Sequence, residues 1–195
     1  MADWKEEVAG LAGQMAGAPQ IAPEEIPDID LYMDQLTTYL DKRLGFYSRE
    51  EGSPFVTGAM VNNYSKAKLL PAPVHKRYGR IHVMLLSLVC QLKRILTIQD
   101  LGRLLAPMQE EKDAAGLYGD FLEAQREAFA KTPAEAEELM KGLDRFPPED
   151  GARAKAVLAV RLAARAQRDV MLAERILDTL APGEEPGKRG ARGKK

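Results

Sequence analysis

The stretch Thr57–Leu105 constrains the chain most, because its helical spacing is interrupted by Leu69-Leu70-Pro71-Ala72-Pro73. Proline lacks the N–H that a helix interior needs, and it pushes the preceding residue out of the helical region, so no helix crosses this point. Before the break, Met60, Val61, Tyr64 and Ala67 share one face of a helix predicted over roughly 58–68, with Thr57 as its cap. After the break, a helix predicted over 81–95 is apolar nearly all round, through Val83, Leu85, Leu86, Leu88, Val89 and Leu92, which marks it as the central core helix. Thr97, with Asp100 three residues on, resembles a capping box opening a short helix to about Leu105. Ile98, Leu101, Leu104 and Leu105 are predicted to face inward from it. Between the two long segments, His75-Lys76-Arg77-Tyr78-Gly79-Arg80 is too short to form a core of its own and reads as a small two-stranded hairpin.

Helix, hairpin, helix, turn, helix is the order of a winged helix-turn-helix, and the charge of this segment suits that reading. It holds eight basic residues (Lys66, Lys68, Lys76, Arg77, Arg80, Lys93, Arg94, Arg103) and one acidic residue, Asp100. The whole chain has 28 basic and 29 acidic residues, so 20 basic and 28 acidic lie elsewhere: the segment is +7 and the remainder −8. A sign reversal of that size marks a candidate polyanion-binding face. The outer face of the first helix shows Ala59, Asn62, Asn63 and Lys66. Asparagine can pair bidentately with adenine and lysine can reach guanine edges or phosphate, so Asn62, Asn63 and Lys66 are the candidate base-facing residues. Thr57 joins them as a contact to base or phosphate. Lys68, His75, Lys76, Arg77 and Arg80 are the candidate phosphate contacts, which give affinity without sequence information. The plainer alternatives are a solvated helix face and a hairpin kept soluble by its charges.

Other chemistry finds little support. No apolar run approaches the roughly 18 residues of a spanning helix. Residues 1–17 carry Asp3, Glu6 and Glu7 and lack the basic start and apolar block of a secretory signal. The single cysteine, Cys90, excludes an intramolecular disulfide and fits a reducing cytoplasm; on a core helix it reads as a small buried hydrophobe. One cysteine and two histidines without metal-site spacing predict no metal, and no cofactor is expected. No nucleophile–base pair, carboxylate dyad at a Gly-rich turn or phosphate loop is apparent, so the chain is not expected to be an enzyme. His82 reads as a surface or capping residue of its helix.

Around this core, Trp4, Val8, Leu11 and Met15 are spaced for an amphipathic helix over 1–17, with a loose arm as the alternative. Pro19, Pro23 and Pro27 make 18–27 a linker. Asp28 or Asp30 is the expected cap of a helix over 31–44 that buries Leu31, Leu36, Tyr39 or Leu40, and Leu44. Residues 45–56 read as a loop. Beyond Pro107 the composition turns to Ala, Glu, Lys and Arg, with helices expected over 108–131 and 133–142, a break at Pro147-Pro148, and a long helix over 149–180. Leu158, Leu162, Ala166, Val170, Ala173, Leu177 and Leu180 form one stripe on that helix, serving either packing against the preceding helices or a dimer seam or effector-sensing bundle. The Gly/Pro-rich tail 182–195, ending in Lys188, Arg189, Arg192, Lys194 and Lys195, is expected to be disordered.

The segment Val61-Asn62-Asn63-Tyr64-Ser65-Lys66-Ala67-Lys68-Leu69-Leu70-Pro71 resembles the second helix and turn of MerR-type winged-helix regulators. Lys76-Arg77-Tyr78 resembles their aromatic-basic wing, and Leu92–Leu101 their next two helices. A closer likeness is to a bacterial group, domain-of-unknown-function family 1836, whose hallmarks include Ile26-Pro27-Asp28-Ile29-Asp30-Leu31-Tyr32-Met33 and Met60-Val61-Asn62-Asn63-Tyr64. The likeness covers about Ile26–Leu105. The MerR superfamily usually has arginine where this chain has Asn62, and glycine where it has Lys68; the lost arginine removes a phosphate contact and Lys68 restores the charge one turn away. Gly58 removes a side chain that would reach a base.

The expectation is an all-α protein with a small β wing. It has an N-terminal arm or linker (1–25), a MerR-like winged helix-turn-helix (26–106), a helical dimerisation or effector region (107–181) and a basic tail (182–195). Its expected function is a DNA-binding transcriptional regulator. Its expected partners are double-stranded DNA, a second copy of itself, and an effector or protein partner of unknown kind, with no membrane. The alternative function is a protein-interaction module that keeps the winged helix as scaffold and docks partners on the C-terminal helices.

Overall fold

The computed structural model describes residues 3–50, 52–108, 111–143, 145–146 and 150–180. It is mostly helical: α1 (Trp4–Ala16), α2 (Met33–Leu44), α3 (Gly58–Lys66), α4 (Arg80–Leu92), α5 (Ile98–Leu105), α6 (Glu111–Ala130), α7 (Thr132–Met140) and α8 (Gly151–Asp178). No described helix is long and apolar enough to cross a membrane. The prolines at 147–148 and the tail 182–195 lie outside the described residues. The chain divides into two compact units, one made of 21–119 with 173–195 and the other of 1–20 with 120–172.

The larger unit is built on α4. Every residue from His82 to Cys90 is buried, as the all-round apolar pattern requires. Leu36, Leu40 and Leu44 of α2, Val61 and Tyr64 of α3, Leu101 and Leu105 of α5, and Ala114 and Tyr118 of α6 are buried as well. Each large apolar side chain so buried contributes about 1.5–3 kcal/mol. Burial pushes the Cys90 thiol up to about 12, which keeps it protonated and chemically quiet. Ser87, fully buried, satisfies its hydroxyl by donating to the Val83 carbonyl one turn back.

The helix starts follow a common device. The Thr97 Oγ1 accepts from the Asp100 N–H while the Asp100 carboxylate accepts from the Thr97 N–H, closing the expected capping box. Thr57 Oγ1 accepts from the Met60 N–H at 3.2 Å. The cap of α2 is Tyr32 rather than Asp28 or Asp30: its N–H donates to Gln35 Oε1, and Leu31 before it is drawn into a backbone pair. Ile98 is 44% exposed, contrary to its expected inward position: it shares the Leu101/Leu105 face but is the first residue of the helix.

No strand longer than an isolated bridge occurs among the described residues, so the expected small β wing is not formed there and a single tight turn stands in its place. Val74 and Arg77 exchange both backbone hydrogen bonds, at 3.1 and 2.9 Å. Pro71 and Pro73 have no N–H to extend that ladder. On the other side, Tyr78 is taken by a different partner, exchanging bonds of 2.9 and 2.8 Å with Leu31. Gly79 follows, where any Cβ would lie 2.9 Å from Asp30 Oδ1. Its N–H donates to His82 Nδ1 at 3.0 Å, so the imidazole must be neutral with its proton on Nε2, which is 3.2 Å from the Pro71 carbonyl. His82 therefore caps α4, one of its two expected roles, but is buried between the turn and the helix rather than on the surface, and Tyr78 packs edge-on against it.

The proline-rich stretch expected to be a linker is instead tied down over 21–28, and Ile21 and Ile26 are buried. Arg80 donates to the Pro23 and Ile26 carbonyls and to Asp28. Tyr39 Oη donates to the Glu25 carbonyl at 2.8 Å, and Arg43 pairs with the Glu25 side chain, which holds that carboxyl below its usual range. Tyr118 Oη, buried on α6, donates to the Ile21 carbonyl at 2.8 Å. At the other end of the unit, Arg103 bridges Asp100 and Asp178, and Leu177 is buried.

In the smaller unit α1 packs on α7, and Trp4, Leu139, Leu143, Ala154 and Leu158 form a core. Leu11 and Met15 are exposed, so the buried face of α1 is Trp4 with Ala12 and part of Val8 rather than the expected stripe. The stripe expected along α8 is likewise incomplete. Leu158 and Leu177 are buried, Val170 and Ala173 half-buried, and Leu162, Ala166 and Leu180 exposed.

Two outcomes are expected. Tyr118→Phe leaves the buried Ile21 carbonyl without its donor and should cost about 1–3 kcal/mol in a urea unfolding titration. Burial, opposed by its hydrogen bonds and by Asp30, lowers the His82 pKa below 6.5. The unfolded chain then binds a proton that the folded chain refuses, so His82 stabilises fully above pH 6.5 and less as pH falls through the folded pKa. The difference in unfolding midpoint between wild type and His82→Gln should shrink between pH 7.5 and 5.5.

Candidate functional site

Helix α3 divides as its spacing implies. Val61 and Tyr64 are buried, and Ala59, Asn62, Asn63 and Lys66 are exposed. The side-chain polar groups of Asn62, Asn63 and Lys66 have no hydrogen-bond partner among the described residues. Thr57 is half-buried, with its oxygen engaged in the helix cap. Gly58 sits where a Cβ would meet the Met33 side chain at 3.4 Å, so this position is close to α2.

The C-terminus of α3 closes in a Schellman pattern. The Lys68 N–H donates to the Ser65 carbonyl and the Leu69 N–H to the Tyr64 carbonyl, both at 3.0 Å, with Leu69 buried. The pattern needs a left-handed residue after the cap, and here that residue is Lys68 at φ +58°. Glycine is the usual occupant, because a Cβ is disfavoured in this region. The hairpin makes the same demand twice. His75 at φ +49° and Lys76 at φ +64° are the two central residues between Val74 and Arg77, and positive φ at both is the mark of a type I′ turn, where Asn-Gly is preferred. Among the described residues, the non-glycine positions of positive φ are these three, and all are basic side chains of the +7 segment.

Lys68, His75, Lys76 and Arg77 are all exposed. Arg77 rests on Tyr32, with Nη2 at 3.0 Å from the phenol oxygen and the guanidinium carbon 4.8 Å from the ring centroid. Arg80 differs from these: half-buried, it spends its guanidinium on the Pro23, Ile26 and Asp28 oxygens. Of the remaining cations of the segment, Arg94 donates to the Tyr47 carbonyl at 2.8 Å, Lys93 lies 6.0 Å from the Tyr64 ring, and Arg103 is paired with carboxylates. Arg80, Arg94 and Arg103 thus tie other parts of the chain, Lys93 is half-buried by the Tyr64 ring, and Lys66, Lys68, His75, Lys76 and Arg77 are exposed. Spacing alone does not separate these groups. Tyr32, which sequence reasoning placed only within a hallmark string, reaches the hairpin because Leu31 pairs with Tyr78. Among the described residues no group of His, Cys, Asp and Glu is arranged to hold a metal ion.

Comparison with known proteins finds one family. No curated protein and no solved structure matches the chain. The model of the family described as Domain of unknown function (DUF1836) matches residues 21–121, a little over half of the chain. Its limits follow the larger unit: they start at buried Ile21 and run past Tyr118, whose hydroxyl holds the Ile21 carbonyl. The chain therefore belongs to the DUF1836 family.

Proposed function

We propose that this protein is a double-stranded DNA-binding transcriptional regulator of MerR-like type, acting as a homodimer. In this reading the outer face of α3 enters the major groove, with Asn62, Asn63 and Lys66 toward base edges, and the hairpin carries Lys76 and Arg77 to backbone phosphates, flanked by His75 and Lys68. The observation that carries it is the placement of basic side chains at the strained positions 68, 75 and 76. A left-handed lysine or histidine costs roughly 1 kcal/mol against glycine or asparagine. At Lys76 this backbone goes with an exposed positive charge that has no partner among the described residues, and backbone strain of this kind clusters at functional sites.

A second reading, a protein-interaction module, is favoured by the exposed apolar residues Val160 and Met171, which share one face of α8 by helical spacing. The two separate in a gel-shift titration on mixed genomic fragments at two salt concentrations: salt-dependent retention supports DNA binding, and absent or salt-insensitive retention supports the module.

Two sets of variants test the surface. Lys76→Ala with Arg77→Ala should flatten the slope of log affinity against log salt by about two, one for each lost phosphate contact; an unchanged slope removes the hairpin from the interface. His75→Asn with Lys76→Gly, the preferred type I′ pair, should raise stability by about 1–2 kcal/mol while weakening DNA binding on all sequences. Greater stability with undiminished binding would mean that the strained cations serve something else.

A further inference from the structure

The hairpin has a neighbour whose chemistry goes beyond positive charge. Tyr32 caps α2, its backbone fixed by Gln35 and by the Leu31–Tyr78 pair beside it, yet its side chain remains 47% exposed. Its phenol oxygen accepts a hydrogen bond from Arg77 Nη2, and its ring lies against the same guanidinium. A phenol that accepts from a cation still has its own proton to give, and accepting polarises the O–H into a stronger donor. Among the described residues neither that O–H nor the other N–H groups of Arg77 have an acceptor. Two adjacent donors, one of them cationic, match an anion that offers two oxygens, as a phosphodiester does, better than they match a single carbonyl. The ring contact also holds the guanidinium plane in place, so less side-chain freedom is lost when an anion arrives.

We infer that Tyr32 Oη and the Arg77 guanidinium form one clamp for a single backbone phosphate, which extends the interface from the hairpin onto the first turn of α2. This rests on the DNA-binding reading above. In the clamp Arg77 carries the charge, and Tyr32 both positions it and donates to the phosphate.

The test is a fluorescence-anisotropy titration of a mixed-sequence duplex at several salt concentrations, with circular dichroism to show that each variant is folded. Arg77→Ala should flatten the salt slope by about one. Tyr32→Phe keeps the ring and the backbone cap but loses the O–H; it should leave the slope unchanged and weaken binding about three- to tenfold. Arg77→Lys, an independent probe, keeps the charge and loses the fork, so it too should keep the slope and lose affinity. Placed on the Arg77→Ala background, Tyr32→Phe should have less than half its effect on the logarithm of the affinity. Wild-type affinity in Tyr32→Phe, or an equal penalty in both backgrounds, overturns the clamp and leaves the DNA-binding reading standing. Absence of salt-dependent binding by the wild type removes that reading and the clamp together.

Discussion

The larger unit depends on side chains doing what a sheet would otherwise do. Two segments without α-helix, 21–31 (which holds a 3-10 turn at Pro23–Glu25) and 69–79, have only four residues in backbone bridges. Several of their other carbonyls, most of them wholly or partly buried, take side-chain donors, since an unpaired polar group away from water is costly. Arg80 supplies donors to Pro23 and Ile26, Tyr39 to Glu25, Tyr118 to Ile21 and His82 to Pro71. Arg80 and His82 stand in the first turn of α4, so the start of the core helix orders both segments. The hairpin tip is thereby carried on a rigid helix, although it contains a single bridge of its own.

The same arrangement explains why the positive charge is used in different ways. A guanidinium with five donors in a fixed fork suits several carbonyls at once, and Arg80 is used in that way. Lys76 and His75 sit at the far end of a two-residue turn, beyond reach of any carbonyl that needs a donor, and remain exposed. Arg77 lies between these extremes, steadied by an aromatic hydroxyl without being consumed by it. For a surface that gathers polyanions, a rigid base with outward cations loses less freedom on binding than a floppy basic loop.

Much of the helical layout was legible in residue spacing. The apolar run of α4, the Thr57 and Thr97 caps and the proline break after Leu70 each leave a local mark that short-range sterics and hydrogen bonding make dependable. The candidate site was legible in part. The exposed face of α3 follows from periodicity, because Val61 and Tyr64 are buried and Asn62, Asn63 and Lys66 lie opposite. What spacing does not carry is which partner a long side chain finds. Arg80 and Arg77 are three residues apart in similar company, yet one ends on carbonyls more than fifty residues away and the other on a tyrosine forty-five away. The stripe on α8 is buried within the chain only in part, since a helix can carry apolar residues over its full length and find neighbours for some of them, as Leu158 does and Leu162 does not.

By itself the sequence determined the helical class, the position of the core helix and the concentration of positive charge, because these depend on side-chain period, on proline and glycine geometry, and on counting. Tertiary structure decided the rest. It made the proline stretch part of the fold, buried His82, put one tight turn where the wing was expected, placed Lys68, His75 and Lys76 in left-handed backbone and set Tyr32 beside Arg77. Each of these hangs on contacts between residues distant in the chain or on the exact path of a turn. Neither is encoded in the local alternation of polar and apolar groups.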